Sequence, residues 1–262
     1  MEILLEQQQF LKDESIPLKV RITNRSGQTV QFGKEKDWLT FSAESRDGYT
    51  VSKLHEPSVP GEFSLESATV ATRRVDVGSS FDFSHTGRYT IAATVKVPEW
   101  EKEISSRPVL VEVVRGTKVW EQEFGVPVKE GAPEMRKFIL QQARFIKDLT
   151  LYARVTDPDE NHTYQVYPLG TLVSFSRPEA QVDRESKMHV LFQNGPHTFL
   201  YSIVDPNGSL VSRHIYDIDN RSSARLKSAS NGEIFVSGGT RRITQQEAAA
   251  LAITNEVKTA KP

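Results

Sequence analysis

Residues 16–24, IPLKVRITN, alternate without a break, with Leu18, Val20 and Ile22 on one side and Lys19, Arg21 and Thr23 on the other. A period of two residues can bury its apolar side only as a strand paired with other strands. The same pattern returns, interrupted by turns, throughout residues 1–115. RSGQ leads into TVQFG, and WLTFSAES passes through RDG into YTVSKL. After the Pro-rich HEPSVPGE come FSLESATVATRRVDV, GRYTIAATVKV and RPVLVEVVRG. In GRYTIAATVKV, Tyr89, Ile91, Ala93 and Val95 share a face.

Short strands spaced by turns over about 110 residues predict a β-sandwich of immunoglobulin type for 1–115. Two stretches carry a resemblance. PLKVRITNRSGQTVQF followed by DWLTFSAESRDGYTV is similar to immunoglobulin-like modules of bacterial surface proteins. It also resembles the intracellular proteinase inhibitors of the BsuPI type, in which a strand pair around an Asn and a Gly precedes an aromatic strand and an Asp-Gly turn. The similarity spans residues 16–53 and implies a sandwich. It marks no reactive surface, so no site residue is carried over.

Residues 116–148 change character and are expected to form a connector. Within it, PEMRKFILQQARFIKDL predicts a helix over 133–147: Pro133 suits the first helical position and Glu134 the positive end. Met135, Phe138, Ile139, Gln142, Ile146 and Leu149 follow helical spacing. Strands return over 149–244. DRESKMHVL from Asp183 aligns with ASNGEIFVS from Ala229, an offset of 46 residues. YARVTDPDENHTYQVY from Tyr152 aligns with YSIVDPNGSLVSRHIY from Tyr201. A period in the forties is the length of a four-stranded propeller blade. SRPEAQVDRESKMHVLFQ resembles the strands of sialidase-like propeller repeats. The expectation is an antiparallel β domain with two blade-like repeats, an ordinary second sandwich being the alternative. Residues 245–262 are expected to be a tail with a short helix at most. The chain is thus expected to be all-β apart from its connector helix.

Charge and composition exclude several function classes. Lys and Arg total 33 against 34 Asp and Glu, so no basic excess drives nucleic-acid binding. The pairs Arg73-Arg74 and Arg241-Arg242 are expected to be solvated. With no cysteine, disulfides, thiol nucleophiles and Cys-based zinc sites are excluded. No apolar run has the length of a membrane span, about 18 residues. MEILLEQQQ shows no signal peptide. A Met placed directly before a strand is what a chain trimmed of its leader would show. A periplasmic or extracellular bacterial protein is therefore expected, with a cytoplasmic location as the alternative.

The chemistry-bearing residues form no known constellation. His55, His85, His162, His189, His197 and His214 lack metal-ligand spacing. His189 faces away from its neighbours Met188 and Val190, either as a buried His bonded to backbone or at the surface. Asp157 to Asn161, DPDEN, opens like a calcium loop, but His162 stands where Gly is required and Pro168 where Glu is. It and DIDN at 217–220 are expected to be turns. The sequons at Asn24, Asn161, Asn207 and Asn220 are likewise expected to be turns. No nucleophile elbow, Ser-x-x-Lys or phosphate loop occurs. No catalytic, cofactor-binding or metal residue is therefore assigned, and the chain is not expected to be an enzyme.

The tryptophans are the candidate partner contacts. Trp38 opens a strand, Trp100 sits in the charged loop PEWEKE, and Trp120 lies in the connector. An aromatic side chain in a charged loop either binds something or forms a lid over the end of the sandwich. The expected function is non-catalytic binding or scaffolding, with a protein partner and no cofactor. Polysaccharide binding and protease inhibition are the alternatives, and a homo-oligomer is left open.

Overall fold

Leu18, Val20 and Ile22 are all buried, while Arg21 and Thr23 are exposed, as the alternation demands. The computed structural model describes residues 1–59, 61–128, 131–145, 148–219 and 223–243. It is all-β, with two units, Met1–Thr117 and Lys118–Pro262.

The N-terminal unit contains β1 (Glu2–Leu5), β2 (Gln9–Leu11), β3 (Pro17–Thr23), β4 (Val30–Phe32), β5 (Leu39–Ser45), β6 (Phe63–Leu65), β7 (Val70–Asp76), β8 (Gly87–Val97), β9 (Lys102–Ser105) and β10 (Val109–Val114). One sheet has the order β1-β3-β7 and the other β2-β10-β8-β5, with β9 beside the second half of β8. β4 and β6 pair separately. Between β1 and β2 the chain crosses from one sheet to the other, where β2 runs parallel to β10. The inner residues of both sheets meet in one apolar core, in which Leu18, Val20, Ile91 and Val111 lose all contact with water. Burial on that scale is the main stabilising term.

The second unit contains β11 (Thr117–Val126), β12 (Glu134–Phe145), β13 (Asp148–Thr156), β14 (Thr163–Thr171), β15 (Glu179–Val182), β16 (Met188–Gly195), β17 (Thr198–Val204), β18 (Leu210–Asp217), β19 (Arg225–Ser228), β20 (Ile234–Ser237) and β21 (Thr240–Arg241). Its sheets have the orders β11-β12-β13-β14 and β15-β16-β17-β18-β21, with β19-β20 as a further pair. Phe138, Leu140 and Leu151 of the first sheet pack with Met188, Val190 and Phe192 of the second. On the opposite face of the second sheet, Leu191 and Tyr201 pack with Leu226 and Ile234 of the β19-β20 pair.

The connector helix expected at 133–147 does not form among the described residues. Described residues 134–145 form β12, with Phe138 against Val155 and Leu140 against Ala153 in an antiparallel ladder. Residues 138–141 are buried in succession, so both faces of the strand are covered. A doubly buried strand leaves an unbroken apolar run, here Phe138-Ile139-Leu140, which helical spacing also fits by chance. Pairing with the strong strand that follows decides between them, because local helical propensity amounts to only tenths of a kcal/mol per residue. In place of the expected connector, β11 and β12 are two strands of the sheet β11-β12-β13-β14. The expected tail at 245–262 lies outside the described residues.

Four hairpin turns in this unit close alike. The amides of Asp183, Asp205 and Ala229 donate to the carbonyls of Lys187, Ser209 and Glu233, four residues on. That of Asp157 donates to His162, five on. In each, the residue three positions after the first donates back to it and has positive φ: Glu160, Ser186, Gly208 and Gly232. β19 and β20 begin 46 residues after β15 and β16. Gly208 is the most demanding of these positions, with φ +91° and only 2.4 Å between an added Cβ and Cβ of Gln165. Gly208→Ala is expected to cost about 2 kcal/mol through strain and contact, read as a lower urea midpoint with an unchanged slope.

Candidate functional site

The site with the shape of a receptor lies at one end of the N-terminal unit. β8 ends at Val97, and Pro98–Trp100 makes a single 3-10 turn whose exit residue, Glu101, is left-handed (φ 49°). The amide of Glu101 donates back to the carbonyl of Pro98 at 3.1 Å. Glu99 pins the turn from the side, its Oε1 accepting the amide of Gln31 at 3.2 Å. This places Trp100, half-buried, on the wall of a cleft of about 300 Å³. Ile22, Val30, Phe32, Val95, Val97 and Ile104 supply its apolar lining, and Thr23, Asn24, Arg25 and Ser26 its polar side. A second hollow, of about 360 Å³, lies around Lys34, Lys96 and Glu99.

The polar side is rigid because Asn24 is. It is 6 % exposed, and its Nδ2 donates to the carbonyls of Gln28 and Leu65 at 2.7 and 2.8 Å. Its Oδ1 accepts the amide and hydroxyl of Ser26. Both amide hydrogens are thus used inside the fold. Arg25, next to it, is exposed and has no ion pair or hydrogen bond among the described residues.

The other two tryptophans fall elsewhere. Trp38 is 3 % exposed, packed with Phe32 and Phe63, and its Nε1 donates to the carbonyl of Val59. Its expected role as a partner contact is corrected to that of a core residue: Asp37 beside it is polar, but the strand it leads into turns the indole inward. Trp120 lies on β11, half-buried against the core of the second unit. Arg73, expected to be solvated, lies 3.9 Å above the ring of Phe63.

In the second unit, sequence reasoning missed a buried relay. Asp183, first residue of its hairpin turn, accepts the amides of Glu185 and Lys187 on Oδ1 and Nε2–H of His189 on Oδ2, at 2.9 Å. The hydroxyl of Tyr201 then donates to Nδ1 of His189 at 2.6 Å. An ionised carboxylate can only accept, which fixes the imidazole tautomer. Burial pushes the Asp183 carboxyl up, but the hydrogen bonds from His189 and the two amides outweigh it and hold the group below its usual range. Burial likewise pushes the Tyr201 phenol up to about 12. His189 and Tyr201 are each 6 % exposed, so the relay ties β16, β17 and the turn together and offers no open face to a substrate.

Glu134 and Arg136 form a second network, with two guanidinium bonds and the hydroxyl of Tyr164 on the carboxylate. Arg136, then Tyr164, holds the Glu134 carboxyl down at about 2. Arg136 also donates to the carbonyl of Pro206 and to Oδ1 of Asn207, locking the β17-β18 turn against β12. Asp157 caps its own turn by accepting the amide of His162. Asp217, in DIDN, pairs with Arg242; Asn220 lies outside the described residues. No group of acidic and His side chains arranged to hold a metal occurs among the described residues, and no described helix is long and apolar enough to cross a membrane.

No protein-family model matches the chain. No curated protein matches it either. Among solved structures, the YadV chaperone aligns over 81 % of this chain and all of its own, at 7 % identity and a TM-score of 0.25.

Proposed function

We propose that the protein is a non-catalytic binding protein that receives a protein partner in the Trp100 cleft of an immunoglobulin-like unit. The observation that carries this reading is the cleft itself. A tryptophan and a continuous apolar lining around about 300 Å³ of open space, bordered by a polar side, have the chemistry of a pocket for a partner's side chains. The sheet orders β1-β3-β7 and β2-β10-β8-β5, with β2 parallel to β10, favour the immunoglobulin-like description. So does Tyr89 near the start of β8, whose hydroxyl donates to the carbonyl of His85 at 2.5 Å, the corner this sandwich class uses. The four-stranded sheet β11-β12-β13-β14, the sequential order β15-β16-β17-β18 in the five-stranded sheet that follows, and the offset of 46 residues into β19-β20 favour blade-like repeats. An exported location accords with a binding role.

The test is a photo-cross-linker at Ile104, 39 % exposed on the cleft lining, used in the native host. A single stoichiometric protein adduct is expected, reduced about tenfold by Trp100→Ala as for loss of a central aromatic anchor. Glycan retention without a protein adduct would move the assignment to polysaccharide binding. A protein adduct indifferent to Trp100→Ala would remove the cleft as the site.

A further inference from the structure

Beside the Trp100 cleft, β9 is a sheet edge. Among the described strands it pairs only with β8, through Thr94–Ser105, Val95–Ile104, Lys96–Glu103 and Val97–Lys102. The amide of Ser106 donates to Ala93, and that of Lys96 donates away from β9, to Trp38. In an antiparallel ladder bonding alternates by residue, so Ile104 and Lys102 bond to β8 while the amides and carbonyls of Glu103 and Ser105 point outward. β2, which covers the same side of β10, reaches only Glu112–Val114. All four residues of β9 are exposed, and Ile104 lines the cleft. An unpaired backbone edge therefore runs along the border of an apolar cavity.

That combination suits one kind of occupant. An extended strand satisfies the outward groups of Glu103 and Ser105, and every second side chain can enter the cleft. Arg25 on the cleft wall and Arg107 just beyond β9 are both exposed and have no ion pair among the described residues. They favour a segment that also carries carboxylates. We propose that β9 binds an extended partner peptide by strand addition, with alternating apolar residues in the Trp100 cleft and an acidic residue facing Arg25. This deepens the cleft reading above and rests on it.

The test is selection of a displayed random library of peptides of about ten residues on the full chain, with anisotropy measured on the winning peptide. Winners should alternate apolar and polar residues and include an acid. Their binding should slow amide exchange at Glu103 and Ser105. Ser105→Pro removes an outward amide and leaves the β8 ladder intact, and should weaken binding about tenfold. Ile104→Glu, at a partly exposed position, should do the same should the proline variant misfold. Enriched peptides that depend on Trp100 but not on Ser105→Pro, without amide protection, would overturn strand addition and leave the cleft reading standing. No enriched peptide alongside a Trp100-dependent adduct at Ile104 would do the same. No peptide and no adduct would remove both.

Discussion

Unfolding of the N-terminal unit, followed by Trp38 fluorescence, is expected to become easier as pH rises from about 4.5 to about 7 and to level off above that. The cause is Glu14, 6 % exposed at the turn that follows β2. Its Oε2 accepts the amide of Leu11 at 2.7 Å and its Oε1 accepts Nε2 of Gln7 at 3.2 Å. Burial raises the carboxyl from 4.5 to about 7, against the lowering pull of both bonds. Below pH 4.5 the group is neutral whether the unit is folded or not. Between 4.5 and 7 only the unfolded chain ionises, so folding loses ground with every increment of pH. A gap of that size corresponds to about 3 kcal/mol, or on the order of 10 °C in Tm. Glu14→Gln keeps an acceptor for Leu11 and cannot ionise, so its Tm should lack this slope. An equal slope in wild type and variant would show that the charge on Glu14 is not its origin.

The second large effect is expected from Asp183→Ala. The carboxylate satisfies three donors, of which the Lys187 amide and Nε2–H of His189 are partly buried and the Glu185 amide is exposed. Its removal leaves Nε2–H of the 6 % exposed His189 without its acceptor, and opens the turn that sets the register of β15 against β16. A loss of about 3 kcal/mol follows from breaking a buried charge-assisted bond. Tyr201→Phe leaves only Nδ1 of His189 unsatisfied and should cost less, about 1–2 kcal/mol. Because the Asp183 carboxyl is held below its usual range, its contribution is present above the unfolded value of 3.8 and disappears as pH falls through the folded value. Urea titrations at pH 7 and pH 3 should therefore differ more for wild type than for Asp183→Ala. Equal differences would mean that the relay contributes no charge-dependent stability.

Both effects depend on groups that local pattern could not join. His189 stood out as a polar residue in an apolar strand, but its partners lie six residues before it in the turn and twelve after it on the next strand. Knowing that requires the register of two hairpins. Glu14 carries no signal in its local sequence that would set it apart from the other acids. Its burial arises because the chain switches sheets between β1 and β2 and folds the following turn inward. The Trp100 cleft was half legible: PEWEKE marked an aromatic that must pack or bind, whereas Ile22, Phe32, Val95 and Ile104 come from four separate strands. Trp38 shows the opposite case, a tryptophan flanked by charge that the strand turns into the core.

The sequence by itself determined the β character of the chain on both sides of the expected connector, because a two-residue alternation has one way to bury its apolar side. It also marked several turns, since Asp and Asn cap them and Gly takes left-handed backbone at 208 and 232, although Glu160 and Ser186 hold the same position in two others. These are properties of a few neighbouring residues and survive without knowledge of the rest. Tertiary structure alone decided that 134–145 is a strand, that Arg73 lies on Phe63, and that Glu14, His189 and Trp100 sit where they do. In each case the deciding energy comes from residues distant in sequence. Pairing with the next strand, loss of water and an unpartnered edge exist only once the sheets have assembled.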